Sequence, residues 1–178
     1  MLKGFLNLLS KTTPEKKQHL KTSAMDEIIF MMMDSPEMSS DAQIIERINL
    51  LPDKKCIDRD GRTLLINAAS YERLAVLKFL IEKGANINAV DNYGYTALHM
   101  ASDHNDVKIA SALLESGAEV NIRDMNGNTP LIISSSFEMI KELMAYGADP
   151  DLRNNYNVSP RMVFEEHPNV IELFNTKD

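Results

Sequence analysis

The stretch Asp91-Asn92-Tyr93-Gly94-Tyr95-Thr96-Ala97-Leu98-His99-Met100-Ala101-Ser102-Asp103-His104-Asn105, with its continuation Asp106-Val107-Lys108-Ile109-Ala110-Ser111-Ala112-Leu113-Leu114-Glu115-Ser116-Gly117, holds one complete structural unit. Asp91-Asn92-Tyr93-Gly94 is a turn signal, and Gly94 suits a positive φ. Thr96 is placed to cap a helix, its hydroxyl accepting from the first free amides. The pattern predicts a short helix over Ala97 to Asp103, with Leu98 and Ala101 on one face. Asn105 tolerates the left-handed backbone that a tight helix–helix turn needs. A second helix follows from Val107 to Ser116. Its apolar positions Ile109, Ala110, Leu113 and Leu114 form a single stripe, and Gly117 ends it.

This unit recurs. Gly-x-Thr stands at Gly61-Arg62-Thr63, Gly94-Tyr95-Thr96 and Gly127-Asn128-Thr129, at intervals of 33 residues. A second series, Gly84-Ala85-Asn86-Ile87-Asn88, Gly117-Ala118-Glu119-Val120-Asn121 and Gly147-Ala148-Asp149-Pro150-Asp151, repeats after 33 and then 30 residues. Leu74, Val76, Leu77, Leu80 and Ile81 form the second-helix stripe of the first unit, and Ile140, Leu143 and Met144 that of the third. Thr129-Pro130 puts proline at the first helical position, where its missing N–H costs nothing. One helix pair of this size cannot bury its own stripe, so stacked pairs must share a continuous core.

Asp91 to Ala101 and Leu113 to Asn121 resemble the ankyrin-repeat signature, and the resemblance extends over about residues 58 to 160. It implies an all-α solenoid of helix-turn-helix units with β-turn fingers. Three full repeats are expected at 58–90, 91–123 and a shortened 124–153, between an N-terminal cap at 25–57 and a C-terminal cap at 154–178. The signature histidine is present as His99, where the family uses it for hydrogen bonds between turns; Ile66 and Ile132 replace it in the flanking repeats. The third repeat has lost three residues around Ser134-Ser135-Ser136-Phe137, so the joint between its helices should be irregular. A fourth unit, Asn154-Asn155-Tyr156-Asn157-Val158-Ser159-Pro160, keeps the turn and helix start but has Arg161 where a core leucine is expected; Val170, Ile171, Leu173 and Phe174 should close the core there.

In the N-terminal cap, Ile28, Ile29, Phe30 and Met31-Met32-Met33 precede a Ser35-Pro36 breaker. Ile44, Ile45, Ile48, Leu50 and Leu51 follow before Pro52. Two helices shielding the first repeat are expected, with the methionines as core packing in preference to an adaptable binding surface.

The 178 residues carry 19 Lys plus Arg and 26 Asp plus Glu, a formal charge of −7. An acidic chain is repelled by phosphates, so no nucleic-acid partner is expected. The charge is uneven. Residues 1–24 carry Lys3, Lys11, Lys16, Lys17 and Lys21 against Glu15, and read as a separate basic tail or short helix. Met1 to Ser10 holds Leu2, Phe5, Leu6, Leu8 and Leu9, but Asn7 and Ser10-Lys11 break the run that a secretion signal needs. Attachment of this segment to anionic lipid is the alternative reading. No run reaches the ~20 apolar residues of a membrane span. A single cysteine, Cys56, excludes an internal disulfide and fits a reducing, cytoplasmic setting.

Chemistry is sparse. His19, His99, His104 and His167 are scattered, and there is no His-x-x-x-His, Cys-x-x-Cys, phosphate loop or Gly-x-Ser-x-Gly elbow. Glu165-Glu166-His167 points in several directions, Cys56 reads as a packed, inert thiol, and Asp58, Asp91 and Asp124 read as turn caps. No catalytic residue, metal or cofactor is expected. What remains is surface. Stacking aligns the turn tips into columns: Arg59, Asp60, Arg62; Asn92, Tyr93, Tyr95; Met125, Asn126, Asn128; and Asn155, Tyr156, Val158. A helix-end column holds Ser70, Tyr71, Asp103 and His104, and Val90, Arg123 and Arg153 recur between units. Tyrosine and arginine are the residues expected at binding hot spots. The partner-binding residues are therefore expected among Arg59, Arg62, Tyr71, Tyr93, Tyr95, His104, Arg123, Met125, Asn126 and Asn128. The expected function is a monomeric, non-enzymatic module that grips a protein partner on its concave face. It would act as an adaptor or an occluding inhibitor, an immunity-like role being one specific version.

Overall fold

The structure, a computed structural model, describes residues 14–33, 39–51 and 56–176, with side chains from residue 24 onward. Its helices are α1 (Pro14–Met33), α2 (Asp41–Asn49), α3 (Leu64–Ser70), α4 (Leu74–Glu82), α5 (Ala97–Asp103), α6 (Val107–Glu115), α7 (Pro130–Ile133), α8 (Phe137–Ala145), α9 (Pro160–Val163) and α10 (Pro168–Asn175). They form two layers. In one, called inner below because from α3 on its helices follow the turns directly, α1, α3, α5, α7 and α9 pack in succession; in the other, called outer, α2, α4, α6, α8 and α10 do the same. Each odd-numbered helix packs on the neighbour that precedes it in its own layer, so the core is a spine shared along the stack.

The first two repeats are started by a side-chain cap, whereas Thr129 and Ser159 stand at the cap position of the next two units without a cap hydrogen bond and are followed by proline at the first helical position. The Thr63 and Thr96 hydroxyls accept from Ile66 N–H and His99 N–H, as read from the sequence. Val76, Leu77 and Leu80 in α4, Ile109, Ala110, Leu113 and Leu114 in α6, and Met139, Ile140 and Leu143 in α8 are buried. Leu74, Ile81 and Met144 pack half-buried at the edge of the same cluster. The loop between α5 and α6 turns through Asn105 at φ 53°, and its counterpart Glu72 adopts φ 55° without the short polar side chain that eases this conformation.

The three-residue loss falls where expected. α7 ends after Ile133, and Ser134 returns to extended backbone at ψ 149°. Asn105 of the preceding unit bridges the shortened joint. Its Oδ1 accepts from Ser135 N–H (3.0 Å) and Ser136 N–H (2.8 Å), and its Nδ2 donates to Ser135 Oγ (2.8 Å).

At the N-terminus, α1 is one unbroken helix that starts on Pro14 and crosses residue 24. The boundary that the charge pattern suggests therefore falls inside a helix. Lysine content marks polarity, whereas the proline at the first helical position marks the start. Met25, Ile28 and Met32 recur at helical spacing and are buried, while Phe30 and Met33 face outward. The buried Arg73 ties this cap to the first repeat: its guanidinium donates to Met32 O (3.0 Å), Met31 O (3.2 Å) and Asp41 Oδ1 (3.4 Å). It thus meets carbonyls at the negative end of α1 and a carboxylate in the first turn of α2. Arg47 pairs with Glu27 across the same two helices. Cys56 is half-buried, with Sγ 3.5 Å from Met25 Sδ. Met1 to Ser10, Ser35-Pro36 and Pro52 lie outside the described residues.

At the other end, Val170, Phe174 and Phe164 are buried beside half-buried Ile171 and Leu173. Arg161 does not fill a leucine's place in the core. It holds Asp151 in a two-pronged contact (2.7 and 3.2 Å), donates to Asn175 Oδ1 and Phe174 O, and lies over the Phe174 ring. No helix among the described residues is long and apolar enough to cross a membrane.

Candidate functional site

Four turns, residues 58–62, 91–95, 124–128 and 154–158, project as fingers and share one hydrogen-bond design. Asp91 Oδ1 accepts from Tyr93 N–H (2.8 Å) and Tyr95 N–H (2.9 Å), and Asp91 N–H donates to Tyr95 O (3.0 Å). Asp58, Asp124 and Asn154 take the same two amides in their own fingers. These residues are turn caps, as their spacing implies.

The fingers are also joined to each other. Asn92 N–H donates to Asp60 O, Met125 N–H to Tyr93 O and Asn155 N–H to Asn126 O, at 2.8–2.9 Å. Asn92 and Asn155 reinforce two of these junctions through their side-chain amides. Gly94, at φ 81°, makes the close approach possible: a Cβ there would sit 2.9 Å from Met125 N and 3.0 Å from Asp124 Cα. The outcome is a fixed row of tips.

On this row the sequence-derived residues separate into two groups. Tyr93 and Met125 are exposed (55% and 70%), and Tyr156 of the fourth finger is exposed to 71%. Arg59 and Asn126 on this row also face solvent, with the Tyr156 hydroxyl 3.5 Å from Asn126 Oδ1; His104 faces solvent too, but at the C-terminal end of α5, away from the finger. The second group is tied to neighbouring groups of the stack, half-buried except for Arg123, which is exposed. Tyr95 is half-buried and meets the His99 ring edge-on; burial first, and then the Asp124 carboxylate that its hydroxyl meets, raise its pKa above the ordinary tyrosine value. Arg123 donates from Nε to Gly127 O (3.1 Å) and from Nη2 to Arg153 O (2.7 Å), bracing two fingers. Asn128 joins Asp124 Oδ2 to Asn154 Nδ2. Arg62 lies 3.5 Å from Asp91 Oδ2. Tyr71 is half-buried at the C-terminal end of α3.

His99 links the second and third fingers. Nδ1 accepts from Thr96 N–H (3.2 Å) and contacts Thr96 Oγ1 (2.8 Å), which leaves Nε2–H to donate to Asn128 O (3.2 Å). Burial lowers its pKa, opposed by the Asn128 hydrogen bond and the charges of Asp124 and Asp91.

Two exposed groups were not singled out from the sequence: Met162 and Val163 on α9, which continue past half-buried Ile132 and Ile133 of α7. Setting Ser159-Pro160 in register with Thr129-Pro130 would have found them, since Val163 and Ile133 occupy equivalent positions. Among the described residues, no group of three or more His, Cys, Asp or Glu side chains could hold a metal ion.

A family model for three copies of ankyrin repeats matches residues 38–124, and a model for a single ankyrin repeat matches residues 126–155. Repeats of this kind generally mediate protein–protein interaction and are typically non-enzymatic modules. No curated protein matches the chain.

Proposed function

The chain belongs to the ankyrin-repeat family, and on that premise we propose that it is a non-enzymatic module that docks one protein partner across its fingertips and the adjoining inner helices. The carrying observation is the exposed row Tyr93, Met125 and Tyr156 on a rigid, hydrogen-bonded ladder. Large side chains held in place by backbone bonds lose little entropy on binding, so their buried area converts efficiently into affinity. A standard contact of ~800 Å² per partner fits a strip of this extent. Arg59, Asn126 and His104 supply its polar rim. A docking face without catalytic groups beside it acts by occluding the partner or by bridging it to something else, as an inhibitor or adaptor does.

The test compares proteins retained from the native cell by the intact chain, by Tyr93→Ala/Met125→Ala and by the convex-side change Lys78→Glu. The expected result is a partner lost at least about tenfold with the fingertip pair, equal to about 1.4 kcal/mol or more. It should be kept with Lys78→Glu, and all three proteins should melt alike. Undiminished retention by the fingertip pair at unchanged stability overturns the proposal.

A further inference from the structure

The arginines of the chain divide by partner. Arg47, Arg62, Arg73 and Arg161 each pair with a carboxylate: Glu27, Asp91, Asp41 and Asp151 in turn. The other three, Arg59, Arg123 and Arg153, pair with none among the described residues. All three are exposed, and all three belong to the finger edge. The exposed lysines Lys78, Lys108 and Lys141 lie instead on the outer helices α4, α6 and α8.

Uncancelled charge concentrates at the third and fourth fingers. In the first finger, exposed Asp60 sits next to Arg59. In the third, Asp124 is buried, and its oxygens are taken by the amides of Asn126 and Asn128 and by Asn128 Nδ2. In the fourth, Asn154 caps the turn with an amide oxygen, so the finger keeps its shape without a carboxylate. Asp151, just ahead of Arg153 in sequence, is held by Arg161.

Both guanidiniums are aimed but only partly bonded. Arg123 donates to Gly127 O and Arg153 O, and Arg153 donates from Nη1 to Asn157 Oδ1 (3.0 Å). A guanidinium has about five N–H donors, so the larger part of each fork is left over. The acceptors are neutral oxygens, which fix orientation and leave the charge in place. The two fingers meet here: a Cβ on Gly127 would lie 2.6 Å from both Arg123 Nη2 and Asn155 Oδ1. The exposed Tyr156 reaches Asn126 at the same junction.

We propose that this junction is a carboxylate-binding site, where Arg123 and Arg153 hold Asp or Glu side chains of an acidic segment of the protein partner and Tyr156 packs on an adjoining apolar side chain. The proposal rests on the protein-binding reading above and names the chemistry of the partner. A planar fork matches a carboxylate in a two-pronged contact. Forks already oriented by carbonyls lose less entropy when they bind. A chain at −7 repels a polyanion charged along its whole length, whereas a short acidic stretch confined to the fingers is compatible with it.

The probe is a labelled peptide of alternating Glu and Leu, compared with Gln/Leu and Lys/Leu peptides and a single-stranded DNA. Binding to the full chain is read by fluorescence anisotropy and mapped by backbone-amide and arginine Nε–H shifts. The Glu/Leu peptide is expected to bind about tenfold more tightly than either peptide comparator, with shifts centred on Asn126 and Arg153 to Asn157. Arg153→Gln should weaken it about three- to fivefold at unchanged Tm, since the one side-chain bond it removes stays within the fourth finger. Arg153→Lys should fall between, and Lys78→Gln/Lys141→Gln should have no effect. Equal binding of the Gln/Leu peptide, DNA binding as tight as the Glu/Leu peptide, shifts centred on the outer-helix lysines, or no shifts at about 1 mM peptide overturns the proposal. Retention of the native partner from cell extract separates this site from the fingertip reading. Arg153→Gln should reduce it; full retention with Arg153→Gln alongside loss with Tyr93→Ala/Met125→Ala overturns the carboxylate site and leaves the fingertip reading standing.

Discussion

Replacing Arg73 with methionine should detach the N-terminal cap from the first repeat. Arg73 is 4% exposed, and its donors reach Met32 O, Met31 O and Asp41 Oδ1 at 3.0–3.4 Å. Methionine preserves most of the aliphatic stem, so little packing is lost. What disappears is the charged donor set. Hydrogen bonds to a charged group contribute about 1.5–3 kcal/mol each, but water can reach part of what is exposed, so the expected net cost is about 3 kcal/mol. In a domain of this size that corresponds to a fall of about 6–12 °C in Tm. Urea unfolding followed by circular dichroism gives the free energy, and amide hydrogen exchange gives its location. A stacked solenoid transmits a defect chiefly to its neighbours, so exchange should rise in α1 and α2 while α8 and α10 stay protected. Arg73→Lys should recover a minor part, since an ammonium cannot span the same three acceptors as a planar fork. A loss under about 1 kcal/mol, or exchange rising evenly along the stack, would refute the reasoning.

Gly94→Ala should cost about 3 kcal/mol and loosen the Tyr93–Met125 junction. Gly117→Ala, at φ 91° with nothing within 4 Å of its Cβ, should cost only about 1 kcal/mol; thermal melts compare them. Glu72→Gly relieves the left-handed strain at φ 55° and should add about 0.5–1 kcal/mol to the unfolding free energy. The His99 pKa is lowered in the folded chain, so the unfolded chain takes up a proton first as pH falls. Stability should hold above the ordinary value of 6.5 and decline below it, and His99→Gln should flatten that decline in urea titrations at stepped pH.

The repeated glycines, the caps at Thr63 and Thr96 and the carboxylates at the turn starts are local signals, and each does in the structure what its neighbours in sequence imply; Thr129, the third of the threonine series, makes no cap hydrogen bond. The deletion before Phe137 was legible for the same reason, because it breaks a fixed interval. Arg73 was not legible: its acceptors at Met31 and Met32 lie more than forty positions away, and no period brings them together. Arg123 and Asn128 show the matching difficulty at the candidate site. Column position identifies the edge a residue occupies, but whether a guanidinium reaches outward or folds onto the Gly127 and Arg153 carbonyls depends on the neighbouring finger. Tyr95 likewise shares its column with exposed groups and is turned inward by the ring of His99. Tyr93, two residues earlier in the same turn, remains exposed.

Position-specific photo-crosslinking tests the central claim most directly. A photoreactive side chain is placed in turn at fingertip positions 93, 125 and 156 and at outer-helix positions 78, 108 and 141, and the protein is irradiated in extract of its own cell. The three fingertip positions should capture the same polypeptide, and the outer-helix positions should not. Capture of that polypeptide from the outer helices, with the fingertips silent, would contradict the assignment of the binding face.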